Sequence, residues 1–418
     1  MFATKLCRMT SAGFLRRLSS LSFTAAIIVS LPMPTYHFVS TLLSWLGTGL
    51  AVVTAGYAVV TLGAALRGIR DRAPALGAAD RTRPVSMLKP LHGAEPRLYE
   101  NLRDFCRQTH PDYQLIFGVR EADDHAIAVV HRLCAEFPHL DIDLVIDPRV
   151  HGANLKVSNL LNMLPLARHD WLVLADSDIS VPADYLVRVT APLADPGVGI
   201  VTCLYYGVPQ ESFWSRLGAL FIDDWFAPSV RLSHVFGSTR FAFGSTIALR
   251  REVLQAIGGF EVLRDTLADD FWLGELTRRA GLRTVLSDLL VGTEVSETRL
   301  IELWTHELRW LRTIRAVAPT GFALSFVCFT WPVSLLGLAL NPSMLNAWLV
   351  AVAGGARVAR FFFGQKIRRS SVSWYEVLLT PFRDLLLLLE WAMALTSWRV
   401  EWRGRVLHAC KDGPMRYL

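Results

Sequence analysis

Trp171-Leu172-Val173-Leu174-Ala175-Asp176-Ser177-Asp178 is the stretch from which the fold can be read. Five apolar residues without polar alternation read as a strand buried on both faces, as in a parallel sheet covered by helices. The run then ends in two carboxylates two residues apart. On an extended strand end such a pair points the same way. Asp176 and Asp178 can therefore share a divalent cation and, through it, a diphosphate, since Mg²⁺ typically takes one or two carboxylates plus phosphate oxygens. A lone D-x-D also fits a solvated turn; its place directly after a buried strand favours the binding role.

Working outward, Val85-Ser86-Met87-Leu88 reads as a first strand that stops at Lys89-Pro90. Helical patterns over Leu98–Gln108, Ala126–Glu136 and Asn154–Leu164 alternate with strands at Gln114–Val119 and Asp143–Ile146. This is the α/β pattern, and such sheets bind ligands at the carboxyl ends of their strands. Glu121, Asp123 and Asp124 follow one such end; Asp123 reads as a solvated turn capping the next helix. In Leu267-Ala268-Asp269-Asp270-Phe271-Trp272, Asp269 reads as the N-cap or first-turn acid of a helix Phe271–Ala280 stopped by Gly281. Asp270 either shares that role or acts as a general base on a substrate hydroxyl. Leu300–Val317 is an amphipathic helix with a basic face, containing His306-Glu307-Leu308-Arg309-Trp310. It suits an interfacial position, with Trp at headgroup depth and Arg reaching outward. Arg309 is placed there to stabilise a leaving diphosphate. Asp223-Asp224 reads as a solvated or interfacial pair.

The 418 residues are 52% hydrophobic and only 19% charged, with a mean hydropathy of +0.33. That balance excludes a disordered chain and departs from ordinary soluble enzymes, where about a quarter of residues are charged. No charged side chain occurs from Leu18 to Leu66 or from Ala316 to Ala356. Between them lies a normally charged stretch long enough for one large domain. The net charge of +6 comes with no long basic run or aromatic-interleaved basic patch, so no nucleic-acid partner is expected. The six cysteines form no C-x-x-C pair, which argues against a zinc site or disulfide framework and suits a reducing cytosol.

The apolar run His37–Leu66 exceeds the ~20 residues of a membrane span, and Arg67, Arg70 and Arg72 follow it, which places that end in the cytosol. Leu21–Leu31, preceded by Lys5, Arg8, Arg16 and Arg17, resembles a signal-peptide pattern without an evident cleavage site, and Met33 is an alternative start. Asn341-Pro342-Ser343 divides the second apolar run into a hairpin, Gly321–Leu340 and Leu345–Phe363. Arg357, Arg360, Lys366, Arg368 and Arg369 place its return end in the cytosol as well. Val377–Ser397 carries Arg383, Asp384 and Glu390 and reads as a span or interfacial segment whose charges face protein or a polar cavity. The expected organisation is an N-terminal segment 1–37, a span 38–66, a cytosolic domain 67–298 and an interfacial helix 299–318. A membrane hairpin 319–363, a further membrane or interfacial segment 364–397 and a basic tail 398–418 complete it.

Taken in order, Glu121 to Asp124, Asp176, Asp270 and His306-x-x-Arg309-Trp310 resemble the D, D, D, (Q/R)-x-x-R-W series of membrane-bound inverting glycosyltransferases with the GT-A fold. His306 stands where the wider group has Gln or Arg. Leu88-Lys89-Pro90-Leu91-His92-Gly93-Ala94-Glu95-Pro96, Asn154-Leu155-Lys156-Val157-Ser158-Asn159-Leu160 and Trp402-Arg403-Gly404-Arg405 resemble the ceramide glucosyltransferase family. Phe117-Gly118-Val119-Arg120, Phe241 to Arg251 and His306 to Arg315 look like its bacterial branch associated with hopanoid synthesis. The resemblance is strong from Pro84 to Val317 and looser in the membrane segments. It implies an α/β, GT-A-like nucleotide-sugar-binding domain between transmembrane helices, facing the cytosol from the bacterial inner membrane. The implied reaction moves a sugar from a UDP-sugar to a lipid hydroxyl with inversion. N-acetylglucosamine onto bacteriohopanetetrol leads, and glucose onto ceramide or a similar lipid is the alternative. In residues, Glu121 or Asp124 would meet uracil or ribose, and Asp176 and Asp178 would hold Mg²⁺ or Mn²⁺ with the diphosphate. Lys89 and Lys156 would contact diphosphate or nucleotide, Asp270 would be the base, and Arg309 and Trp310 would close over nucleotide and acceptor. A non-catalytic lipid-binding or carrier protein is the alternative of another class.

Overall fold

The computed structural model describes residues 33–68, 83–93, 95–368, 374–402, 405–408 and 416–417. The stretch before Met33, Arg70, Arg72, Ala94, Arg369, Arg403, Gly404 and Lys411 lie outside the described residues.

The chain begins with helix α1 (Met33–Arg67), followed by β1 (Val85–Pro90), α2 (Leu98–Phe105), β2 (Tyr113–Val119), α3 (Ala126–Glu136) and β3 (Asp141–Ile146). Next come α4 (Leu155–Met163), β4 (Trp171–Leu174), β5 (Ile179–Ser180), α5 (Tyr185–Thr190) and β6 (Val198–Pro209). Then follow α6 (Phe213–Leu220), α7 (Ala227–Val235), β7 (Ile247–Arg250), α8 (Arg251–Ala256), α9 (Asp269–Arg279) and β8 (Arg283–Val295). The eight strands form one mixed sheet in the order β3-β2-β1-β4-β7-β6-β8-β5. Strands β3, β2, β1 and β4 run parallel, β7 is antiparallel to both neighbours, and β6 pairs in parallel with β8.

Alternation along these strands builds two cores. Val85, Met87, Leu115, Phe117 and Val173 face one core with Leu102, Phe105, Val130 and Leu133 of α2 and α3. Leu88, Ile116, Leu172 and Leu174 face the other, against Val157, Leu160 and Met163 of α4 and Leu273 of α9. Helix α4 lies so close to β2 that a Cβ on Gly118 would sit 2.4 Å from Asn159 Oδ1 and from Met163 Sδ. Burial on both faces explains the apolar runs of the parallel strands. The architecture is a GT-A-like α/β fold flanked by N-terminal and C-terminal apolar helices.

Helix α10 (Leu300–Val317) leads into α11 (Pro319–Leu324), α12 (Thr330–Leu340), α13 (Met344–Arg368) and α14 (Trp374–Thr396). A small antiparallel sheet, β9 (Arg399–Trp402), β10 (Arg405–His408) and β11 (Arg416–Tyr417), follows them. Among the described residues α1 and α13 are long and apolar enough to cross a membrane, and Pro319–Cys328 with Thr330–Leu340 would make a third span if taken together. Those two pieces meet at 69°, so the first arm of the expected hairpin is broken rather than straight. The break leaves the Trp331 amide without a helical acceptor, and Asp384 Oδ2 takes it at 2.9 Å. Buried backbone needs such a partner.

Asp223 and Asp224, read from sequence as a solvated or interfacial pair, are ion-paired rather than solvated. They lie in a π-helical turn, Phe221–Phe226. Asp224 is buried and accepts from Arg357 Nε at 2.8 Å and Arg360 Nη2 at 2.5 Å. Asp223 pairs with Arg368. The charges of α14 are likewise turned inward: Arg357 also binds Asp384 at 2.7 Å, and Arg383 bridges Glu390 at 2.9 Å and Glu307 of α10. These forks join the turn before α7 and helix α10 to α13 and α14.

Candidate active site

The acidic residues converge because three separate strand and helix ends meet. Strand β4 stops at Leu174, and Asp176 and Asp178 follow it. Asn154 caps α4, its Oδ1 accepting from the Lys156 and Val157 amides at 2.9 and 3.1 Å. Its Nδ2 donates to Thr266 O at 2.9 Å and to Asp269 Oδ1 at 3.1 Å. One side chain thus fixes the start of α4 against the start of α9, as a good cap can. Lys156 then reaches Asp176 Oδ1 at 2.5 Å, with Asp269 Oδ2 at 3.9 Å.

Asp270, in the first turn of α9, accepts from the Gly244 amide at 2.9 Å and from its neighbour Phe271 at 2.8 Å. A Cβ on Gly244 would lie 2.9 Å from Asp176 Oδ2 and 3.0 Å from Lys156 Nζ. A side chain there would have to displace the ends of Asp176 and Lys156, so glycine lets this loop approach the D-x-D pair while its amide holds Asp270. Burial, then the Asp269 carboxylate, raises Asp270 to about 6, against the opposing pull of Lys156. Asp178 accepts from Thr293 Oγ1 at 3.0 Å. Burial, then Asp176 and Glu95, pushes it up to about 7. Lys156 is held above the usual lysine value: the charges of Asp176 and Asp269 outweigh its burial.

Lys89, expected as a nucleotide contact or a solvated surface lysine, is fully buried. Its ammonium donates to the Asp176 carbonyl and lies 3.7 Å from the centre of the Phe105 ring. Burial lowers it to about 7 despite Asp176 and Asp178 nearby. It braces the D-x-D backbone from beneath. Asp124 is also committed to backbone: both its oxygens lie 3.0 Å from the Gly93 amide, and Oδ1 takes Ala126 N at 2.8 Å. It ties the loop after β1 to the start of α3. Glu121 stands partly exposed beside it, with His92 Nδ1 within 3.9 Å of Glu121 and 3.8 Å of Asp124. Neither acid lines the main cavity.

That cavity has a volume of about 600 Å³, within the range of small-molecule sites. Asp176, Asp178, Asp269, Asp270 and Glu95 line it together with the aromatic and apolar side chains of Tyr205, Phe221, Phe226, Phe243 and Ile314. Arg309 and Trp310 of α10 line it, with Trp310 4.8 Å from the His306 ring and 5.7 Å from Phe221 between ring centres. His306 Nδ1 pairs with Glu297. Burial raises Glu297, but the His306 hydrogen bond and charge outweigh it and leave the carboxyl below its ordinary value. The sequence reading named the D-x-D pair, Asp270, Arg309 and Trp310, which the structure brings around one cavity. It missed the positioning roles of Asn154, Gly244 and Glu297. The first two sit within motifs quoted for other reasons, and Glu297 lies nine residues before its histidine.

Model matching against known families gives glycosyl transferase family 21 over residues 47–415. The chain belongs to glycosyl transferase family 21. This family 21 chain is therefore a glycosyltransferase, and the reading as a non-catalytic carrier is set aside. It is 22% identical over 342 residues to Ceramide glucosyltransferase 3 of Caenorhabditis elegans, covering 79% of this chain and 73% of that protein. It is 29% identical over 195 residues to the Beta-monoglucosyldiacylglycerol synthase of Synechocystis sp., covering 45% of this chain and 38% of that one. Among solved structures, the mannosyltransferase PcManGT from Pyrobaculum calidifontis, in complex with GDP-Man and Mn²⁺, aligns at 19% identity with a TM-score of 0.49, over 85% of this chain and 99% of that one.

Proposed function

We propose that this family 21 glycosyltransferase moves a sugar from a UDP-sugar to the primary hydroxyl of a membrane lipid in one inverting displacement. The observation that carries the proposal is one cavity lined both by the clustered carboxylates and by aromatic and apolar side chains. Asp270 removes the proton from the lipid hydroxyl as that oxygen attacks the anomeric carbon. It is suited to this: its carboxyl sits closer to neutrality than an ordinary aspartate, which improves a general base, and the Gly244 amide fixes its direction. The C–O bond to the diphosphate breaks as the new one forms, and Arg309 stabilises the departing UDP. Trp310 closes over nucleotide and acceptor, and Glu121 and Asp124 mark the side where the nucleoside lies.

Asp176 and Asp178 fit a hard divalent cation, Mg²⁺ or Mn²⁺, because they offer oxygen donors in a crowded acidic mouth where Asp178 resists losing its proton alone. When bound there, the cation supplies charge neutralisation for the diphosphate. Lys156, already on Asp176, is positioned to share that anionic group, and Lys89 keeps the loop in place from below.

The sheet faces the cytosol of a bacterial inner membrane in this reading, supported by the basic ends of α1 and α13 at Arg67, Lys366 and Arg368. For substrates we favour N-acetylglucosamine onto bacteriohopanetetrol, on the strength of the segments Phe241 to Arg251 and His306 to Arg315. Glucose onto ceramide or another two-chain lipid is the second reading, favoured by what the relatives are named for. Purified protein in detergent, given radiolabelled UDP-glucose and UDP-N-acetylglucosamine with each lipid, tests both. Label in the hopanoid from UDP-N-acetylglucosamine is the expected result. Label in ceramide alone selects the second reading, and label in no lipid overturns the proposal.

A further inference from the structure

Arg231 on α7 makes no ion pair among the described residues, and its Nε is shielded from water with no hydrogen-bond partner. It lines a cleft of about 50 Å³ with Arg360, Arg368, Asp223, Tyr206 and Ala65. The other charges there are already used. Arg360 donates to Asp224 and, at 2.9 Å, to Thr61 Oγ1, and Arg368 pairs with Asp223. Burial, then the like charge of Arg368, disfavours the protonated form of Arg231. Asp223 pulls the other way but is itself paired with Arg368, so the half-buried guanidinium, with its Nε shielded and unpaired, gains from a further anionic partner.

The cleft's place in the fold indicates which anion. Ala65 is in the last turn of α1, and Arg368 ends α13. Both helices are long and apolar enough to span a membrane, so the cleft opens where their apolar lengths give way to the sheet. Basic residues at that depth meet lipid headgroups. The volume admits a few water-sized groups, enough for a phosphate and too little for a nucleotide sugar. We propose that this cleft binds the phosphate of an anionic phospholipid, with Arg231 as its partner. The guanidinium fork suits two phosphate oxygens. The cleft shares the Tyr205 wall with the catalytic cavity but none of its carboxylates, and it does not depend on the donor or acceptor proposed above.

The test uses the full-length protein in neutral detergent, titrated with dihexanoyl phosphatidylglycerol, dihexanoyl phosphatidylcholine or inorganic phosphate, with Tm as the readout. Phosphatidylglycerol should raise Tm saturably, with little effect from the other two. In Arg231→Gln the half-saturating concentration should rise about tenfold or more, with sugar transfer retained. Arg231→Lys, which keeps the charge but not the fork, should fall between. Arg279→Gln, an exposed charge-matched control on α9, should titrate as the parent does. An unchanged phosphatidylglycerol titration in Arg231→Gln, or in Arg231→Lys should Arg231→Gln not fold, overturns the proposal. The same Tm rise from inorganic phosphate overturns the assignment to a lipid.

Discussion

Asp176, Asp178, Asp269 and Asp270 crowd one mouth of the sheet with Lys156 between two of them, whereas Asp224 and Asp384 beneath the membrane helices each meet an arginine fork. In the mouth, Asp178 has a threonine hydroxyl and no ion pair among the described residues. In the lower set, Asp224 takes two arginines and Asp384 one. Carboxylates satisfied by fixed arginines have little left to offer a ligand and serve to hold α7, α10, α13 and α14 in place. Carboxylates left in excess need something from outside, and two of them, Asp178 and Asp270, are raised toward neutrality by burial and then by their acidic neighbours. Charge balance therefore separates the residues proposed to react from those that hold the helices together, although both groups are clustered acids.

The largest difference between the two regions should appear on chelation. EDTA is expected to stop transfer and Mg²⁺ or Mn²⁺ to restore it, with no change in folding by circular dichroism; full turnover in EDTA would remove the cation from the scheme. Asp224→Ala should do the reverse, costing about 3–5 kcal/mol of stability, as removal of one partner from a buried pair does. Denaturant unfolding in detergent measures this, and a loss below 1 kcal/mol would mean the forks are not structural. Removing charge from the mouth should help the fold. Asp178 and Asp270 are raised to about 7 and 6 in the folded protein, so they hold protons that the unfolded chain has released. Their contribution to stability is complete below the ordinary carboxylate value of about 4 and is lost as the pH rises through 6 and 7. Metal-free protein should therefore lose Tm from pH 4 to 7, and Asp178→Asn should flatten that fall. A steeper fall in the variant would reverse the sign of the argument. The smallest effect is expected at His306→Gln, which leaves Glu297 with a weaker partner and should lower transfer about tenfold, measured as kcat with saturating donor.

Much of this was legible in the chain. Helices Ala126–Glu136 and Leu300–Val317 were readable to the residue because their apolar spacing is regular and their ends are marked. The acidic mouth was legible because strand ends can be located from apolar runs. The forks were not. Asp224 precedes its partner Arg357 by 133 residues, and arginines at the end of a span read equally well as lipid-facing. The bend before α12 has a visible cause only in hindsight: Pro332 sits in its first turn, where proline is tolerated, and the Asp384 contact that satisfies the break comes from another helix. Asp124 and Lys89 were legible as polar residues at strand ends, but the backbone groups they bind depend on tertiary approach.

Asp270→Asn tests the central assignment most directly. The substitution keeps the shape and removes the base, so single-turnover sugar transfer should fall about 10²–10⁴-fold while UDP-sugar binding, measured by calorimetry, stays within a few fold. Transfer at the parent rate, with binding intact, would contradict the role given to Asp270.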